Sequence, residues 1–173
     1  ARRLRSAPVT RPVVVSDSGP LIALAGCDSL ELLVAVFEAI HVPRVVLDET
    51  TADRSRRGAD GILAFVHAHA QVHAPRDDAI YVAAEAYLDE GEAQALSLAH
   101  ALGCGVLIDE RRGRQAALRQ GLPVFGVLGV LLQAKRIDRI ARIAPALDQM
   151  QANGYRISPA LIDAALKLAG ETG

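Results

Sequence analysis

Residues 12–25 read Pro12-Val13-Val14-Val15-Ser16-Asp17-Ser18-Gly19-Pro20-Leu21-Ile22-Ala23-Leu24-Ala25. The β-branched run Val13 to Val15 predicts a buried strand. Ser16-Asp17-Ser18-Gly19 is turn composition. Pro20 suits the first position of a helix, where its missing N–H has no intrahelical partner. Asp17 therefore falls just past the carboxyl end of a strand and just before a helix. In open α/β sheets that edge is where ligands bind. Ser18 or Gly19 can cap the helix, which leaves Asp17 free for a site. The competing reading is a turn aspartate bonded to local backbone N–H groups.

Outward from this stretch, strands and helices alternate. The sequence predicts strands at 12–16, 39–42, 71–73, 104–108 and 122–125. Helices are predicted at 19–25, 30–37, from Pro43 through Glu49, and at 59–69. Further helices are predicted from a cap at Asp77 or Asp78 to Leu88, from Asp89 to Leu102, and at 111–120, 127–136, 139–152 and 158–169. This alternation means a mainly parallel sheet between two helical layers, a three-layer αβα sandwich. Residues 1–11 are expected to be a disordered leader and 12–136 the main domain. Residues 137–173 are expected to be a helical C-terminal extension packed on the same core.

The chain has 173 residues, enough for one domain, and 51% hydrophobic residues, enough for a substantial core. Aromatic residues are 3% and Trp is absent, which argues against base-stacking platforms for single-stranded nucleic acid. A net charge of -1 gives no global pull toward nucleic acid or anionic lipid, so any such binding must use local basic patches. Cys27 and Cys104 stand apart in apolar surroundings and read as reduced core thiols, which fits the cytoplasm. No apolar run reaches the length of a membrane span.

Four acidic residues take positions that deserve a functional reading. Asp109 repeats the setting of Asp17, following the apolar run Cys104 to Ile108 and preceding a helix. Its alternative role is to cap that helix. Glu92 stands three residues after Asp89, the spacing of a capping box. It also heads the stripe Ala95, Leu96, Ala99 and Leu102, which points at the sheet. Glu49 follows Val42, Val45 and Val46 at spacings of seven, four and three, on the apolar face of its helix. Taken alone, Glu49 reads as a solvated glutamate. Four carboxylates converging on one sheet edge repel one another unless a cation is present. Hard divalent cations, Mg²⁺ or Mn²⁺, are the usual solution.

These residues resemble the PIN-domain ribonucleases. The resemblance rests on Val14 to Leu24, Val42 to Glu49, Asp89 to Ala95 and Val106 to Glu110, and covers about residues 12–136. The tail around Gly154-Tyr155-Arg156-Ile157-Ser158-Pro159 is similar to a longer PIN-like subfamily. The resemblance implies a metal-dependent endoribonuclease, the toxin of a toxin–antitoxin pair, with RNA as substrate. An antitoxin protein and a second copy of the chain are the partners it implies. Asp17, Glu49, Glu92 and Asp109 would be catalytic, with Asp17, Glu92 and Asp109 holding Mg²⁺ or Mn²⁺. Ser18 matches the hydroxyl residue that often follows the first Asp. Two positions depart from the pattern: the third acid is Glu where Asp is more usual, and Leu107 replaces a common hydroxyl residue. Glu110 then stands as a substitute ligand. The alternative is a catalytically weak PIN-like module that binds RNA or a protein partner.

Arg111, Arg112 and Arg114 open a helix whose dipole favours anions at that end, so they are candidates for RNA phosphate contacts. A solvated face balanced by Glu110 is the other reading. His67 and His69 do not share a helix face and no cysteine is near, which disfavours zinc. No glycine-rich phosphate loop and no nucleophile elbow is present.

Overall fold

The computed structural model describes residues 10–172. Five strands form one sheet: β1 (Val13–Ser16), β2 (Ala39–Pro43), β3 (Ala70–His73), β4 (Gly105–Leu107) and β5 (Val124–Phe125). The helices are α1 (Ser18–Gly26), α2 (Glu31–Val36), α3 (Arg44–Thr51), α4 (Ala59–His69) and α5 (Ala79–Ala84). They continue as α6 (Glu90–Leu102), α7 (Arg111–Arg119), α8 (Val127–Arg136), α9 (Ala144–Ala152) and α10 (Pro159–Leu168). The strand order is β3-β2-β1-β4-β5 and every neighbouring pair is parallel. The expected leader lies outside the described residues except for Thr10 and Arg11.

Alternation along the strands divides the core into two faces. Val14, Ile40, Val42 and Leu107 pack with α1 to α4 and α8 to α10. Val15, Val106 and Ile108 pack on the other face with residues of α6 and α7. The fold is thus an αβα sandwich. The extension belongs to the first of these cores, through Ile143, Leu147, Met150 and Ala165. The apolar helix α8 is core as well, since Val127, Val130 and Leu131 are buried. Among the described residues, no helix is long and apolar enough to cross a membrane.

The topology sets the site. The chain winds outward from β1 through β2 to β3, then crosses back to place β4 on the other side of β1. The crevice between the carboxyl ends of β1 and β4 is therefore the switch point where α/β sheets bind ligands. Asp17 follows β1 and Asp109 follows β4, so both open onto it.

Several elements differ from the sequence reading. Helix α1 begins at Ser18, with Asp17 in the N-cap position making no side-chain cap bond, so neither Ser18 nor Gly19 is the cap. Pro20 is the third helical residue, still within the turn whose N–H groups lack partners. Helix α5 stops at Ala84 rather than Leu88: the N–H groups of Tyr87 and Leu88 both turn back onto the Ala84 carbonyl, and Asp89 then takes extended backbone to cap α6. Leu102 ends the α6 stripe outside the core, 42% exposed, one residue before the left-handed Gly103. Helix α9 starts at Ala144 instead of 139, where the distant Glu171 carboxylate accepts from the N–H groups of Ile143 and Ala144.

Candidate metal-binding site

Asp17 is the centre of the site. Its backbone N–H donates to the carbonyl of Leu107 at 3.0 Å, which fixes the end of β1 to the end of β4. The residue is 5% exposed, and its Oδ1 is buried without a hydrogen-bond partner. Burial pushes its carboxyl up to about 7, against the Ser18 N–H, with the charges of Asp89, Glu92 and Glu49 adding to the rise. A buried carboxylate with an orphaned oxygen and three acidic neighbours is costly unless a cation answers it.

Glu92 is buried and does two things at once. Its Oε2 accepts from the Asp89 N–H at 3.2 Å, while Asp89 accepts from the Glu92 N–H at 2.8 Å, a complete capping box. The bland reading of Glu92 is thus realised, yet the same side chain lines an acidic cavity of about 430 Å³. Asp17, Ser18, Asp89, Glu110 and Arg112 line it too. Burial and the Asp89 charge raise the Glu92 pKa, and Glu110 and Glu49 add to the rise.

Glu49 is an exposed residue whose carboxylate lies against α6 at Gly91. A Cβ on Gly91 would stand 2.8 Å from Oε2 and 3.1 Å from Oε1. Gly91 is therefore the gap that admits Glu49 to the site. Partial desolvation and then Asp89 raise the Glu49 pKa, while the Ser18 hydroxyl acts in the opposite sense. Asp17, Ser18, Glu49 and Glu92 are thus neighbours, as expected, and exposed Asp89 joins them.

Asp109 is not among the residues that line that cavity. It does not cap α7, whose N-cap residue is Glu110 with no side-chain cap bond. Instead its Oδ1 accepts from the Val127 N–H at 3.1 Å, at the start of α8, and its Oδ2 accepts from the Tyr155 hydroxyl. Burial raises its pKa, opposed by Tyr155, the Val127 N–H and Arg114. Arg114 donates to the Ile108 carbonyl at 2.9 Å, which is a structural use of this expected RNA contact. Gly126 makes room for both, since its Cβ would stand 2.7 Å from Asp109 Oδ1 and 2.8 Å from Arg114. Arg112 lines the acidic cavity and Arg111 is exposed beside it.

Sequence reasoning missed Tyr155 as a site residue, Asp89 as more than a cap, and Gly91 and Gly126 as spacers. Only Gly91 left a local signal, as the glycine inside Asp89-Glu90-Gly91-Glu92.

The donor set is all oxygen, centred on an orphaned buried carboxylate, and it fits a hard divalent cation. Among the described residues, no three acidic, His or Cys side chains are already closed into a ligand cluster. The carboxylates line a space rather than meet at a point.

A parallel sheet with strand-end aspartates at its switch point, walled by further acids, defines an α/β protein with an acidic site. The sequence matches the family DUF3368, a PIN domain, over residues 13–171, and the chain belongs to that family. The fold of this family is of nuclease type. A solved structure similar in fold is a PilT N-terminus domain protein, SSO1118, from the hyperthermophilic archaeon Sulfolobus solfataricus P2. That similarity has a TM-score of 0.50 at 15% identity, and covers 70% of this chain and 92% of that one. No curated protein matches the sequence.

Proposed function

We propose that this PIN-domain protein is a metal-dependent endoribonuclease that acts in the cytoplasm as the toxin of a toxin–antitoxin pair. The observation that carries the reading is Asp17: its Oδ1 is buried without a partner, among Asp89, Glu92 and Glu49. Such an arrangement is unfavourable in the free protein and is relieved by binding Mg²⁺ or Mn²⁺. Asp17, Glu92 and Asp109 would hold the cation, with Glu110 at the cavity wall as a further oxygen donor. When bound, it neutralises charge on a phosphate oxygen and lowers the pKa of a coordinated water.

The protein's own groups do the rest. Glu49, with a raised pKa and the Ser18 hydroxyl beside it, accepts the proton of the attacking water. Arg112 faces the same cavity and supplies a cation for the RNA backbone, with Arg111 next to it. With water as nucleophile, in-line displacement breaks the P–O3′ bond and leaves a 5′-phosphate and a 3′-hydroxyl. Attack by a ribose 2′-OH would leave a cyclic phosphate instead. An antitoxin would suppress cleavage by placing a basic or apolar segment against the acidic cavity.

The test is cleavage of varied RNAs with Mn²⁺ or Mg²⁺, with EDTA, and with Asp17→Asn or Asp109→Asn. Cleavage that stops on chelation, falls by orders of magnitude in both variants and yields 5′-phosphates supports the mechanism. Activity that survives EDTA, or wild-type rates in both variants, sinks it. A wild-type protein that binds RNA without cutting it supports the binding-module alternative.

A further inference from the structure

Tyr155 reaches the site from a part of the chain that no acidic motif touches. It lies in the turn between α9 and α10, just after Gly154, whose φ is +87°. Two contacts fix this turn. The Tyr155 N–H donates to the Met150 carbonyl at 2.9 Å, and Asn153 Nδ2 donates to the Gly26 carbonyl at 2.9 Å, at the end of α1. The Tyr155 ring packs on the core that contains α1 and α8. Its hydroxyl lies 4.0 Å from where a Cβ on Gly19 would be, and donates to Asp109 Oδ2. The phenol thus stands over the crevice between β1 and β4, between the first turn of α1 and the Asp109 carboxylate.

Asp109 is fixed at both oxygens: the Val127 N–H donates to Oδ1 at 3.1 Å and also contacts Oδ2 at 3.4 Å, and the Tyr155 O–H donates to Oδ2. A carboxylate has about four lone-pair sites, so Asp109 keeps room for a cation, chiefly at Oδ1, while these contacts hold the group against rotation. We propose that Tyr155 is a positioning residue for Asp109, so that the C-terminal segment sets the divalent-cation affinity of the acidic site. This inference rests on the metal-binding reading above. Tyr155 does not touch the reacting atoms; it acts through Asp109. Outer-shell partners of this kind typically change metal affinity by about 10–100-fold when removed.

The experiment measures Mn²⁺ binding by the electron paramagnetic resonance of free Mn²⁺, with no RNA present. It uses wild type, Tyr155→Phe, Asp109→Asn and the double variant, each verified as folded by circular dichroism. Tyr155→Phe should raise the Mn²⁺ Kd by about 10–100-fold. In the Asp109→Asn background the same change should add almost nothing, because the two residues act as a unit. A second readout needs no variant at position 155. The chain has three tyrosines, so 3-fluorotyrosine labelling gives three ¹⁹F signals. Tyr81→Phe and Tyr87→Phe assign two of them, leaving Tyr155. Titration with Mg²⁺ should move the Tyr155 signal and leave Tyr81 in place. Wild-type Mn²⁺ affinity in Tyr155→Phe, or a Tyr155 signal that ignores Mg²⁺ bound by the wild type, overturns the positioning role alone. A wild type that binds neither ion overturns the metal-binding reading, and this inference with it.

Discussion

Replacing Asp17 with Asn should make the metal-free protein more stable at neutral and alkaline pH while removing its response to divalent cations. The Asp17 carboxyl has its pKa raised from 3.8 to about 7, chiefly by burial. The native state therefore holds this proton more tightly than the unfolded chain. Its stabilising contribution is complete below pH 3.8, is lost as pH rises through about 7, and changes no further above that. At about 1.4 kcal/mol per pH unit, the two units from pH 5 to pH 7 remove about 3 kcal/mol. Asn keeps the shape and carries no charge, so this loss is absent from the variant. Urea unfolding in EDTA at pH 5 and pH 8 measures it. The wild type should weaken by about 3 kcal/mol more than Asp17→Asn between those pH values. The raised Glu49, Glu92 and Asp109 weaken both proteins with pH, and the comparison between them largely removes that background. Adding Mn²⁺ at pH 8 should reverse the ranking, since ligand at about 1,000 times its Kd stabilises by about 4.1 kcal/mol. Parallel pH profiles for the two proteins would refute the claim that Asp17 is a strained, cation-seeking carboxylate.

Two other substitutions separate function from stability. Gly91→Ala adds a Cβ where the Glu49 carboxylate now lies, 2.8 Å from Oε2. The flexible glutamate swings away, so thermal stability should hold or rise by up to about 1 kcal/mol from helix propensity, while RNA cleavage falls; unchanged cleavage would remove Glu49 from the site. Glu171→Gln should lower stability by about 1.5–3 kcal/mol, read as Tm, because the carboxylate accepts charge-assisted bonds there. Burial raises the Glu171 pKa, but the Ile143 N–H, Lys135 and the Ala144 N–H outweigh it and hold the carboxyl at about 2. Its folded pKa is thus below the ordinary 4.5, so its contribution is present above pH 4.5 and lost as pH falls toward 2. A variant as stable as wild type at pH 7 would show that this anchor of the C-terminal segment is not needed.

The strand-end acids were legible because each closes a run that can only be a buried strand: Val13 to Val15 before Asp17, Val106 to Ile108 before Asp109. Local periodicity placed Glu49 and Glu92 on helices that face the sheet, and the family resemblance ordered all four. What the sequence hid is contact between distant segments. Tyr155 lies 46 residues from Asp109, and Glu171 lies 28 from Ile143. Neither pairing has a local pattern. The same cause misplaced the start of α9, since its capping carboxylate comes from the far end of the chain. The alternative role of Asp109, a cap for α7, is not realised: the N–H it satisfies belongs to Val127 at the start of α8, which only the packing of β4 beside β5 reveals. Arg114 read as a surface cation and turned inward because Gly126 leaves room for it beside Asp109.

The central claim is that these carboxylates hold one hard divalent cation at the β1–β4 crevice. Its most direct test is the anomalous difference density of crystals soaked in Mn²⁺ at pH 8. A peak about 2.0–2.6 Å from Asp17 Oδ1, shared with Glu92 or Asp109, is the predicted result. No peak at that oxygen, with the four acidic side chains ordered and Mn²⁺ in excess, would contradict it.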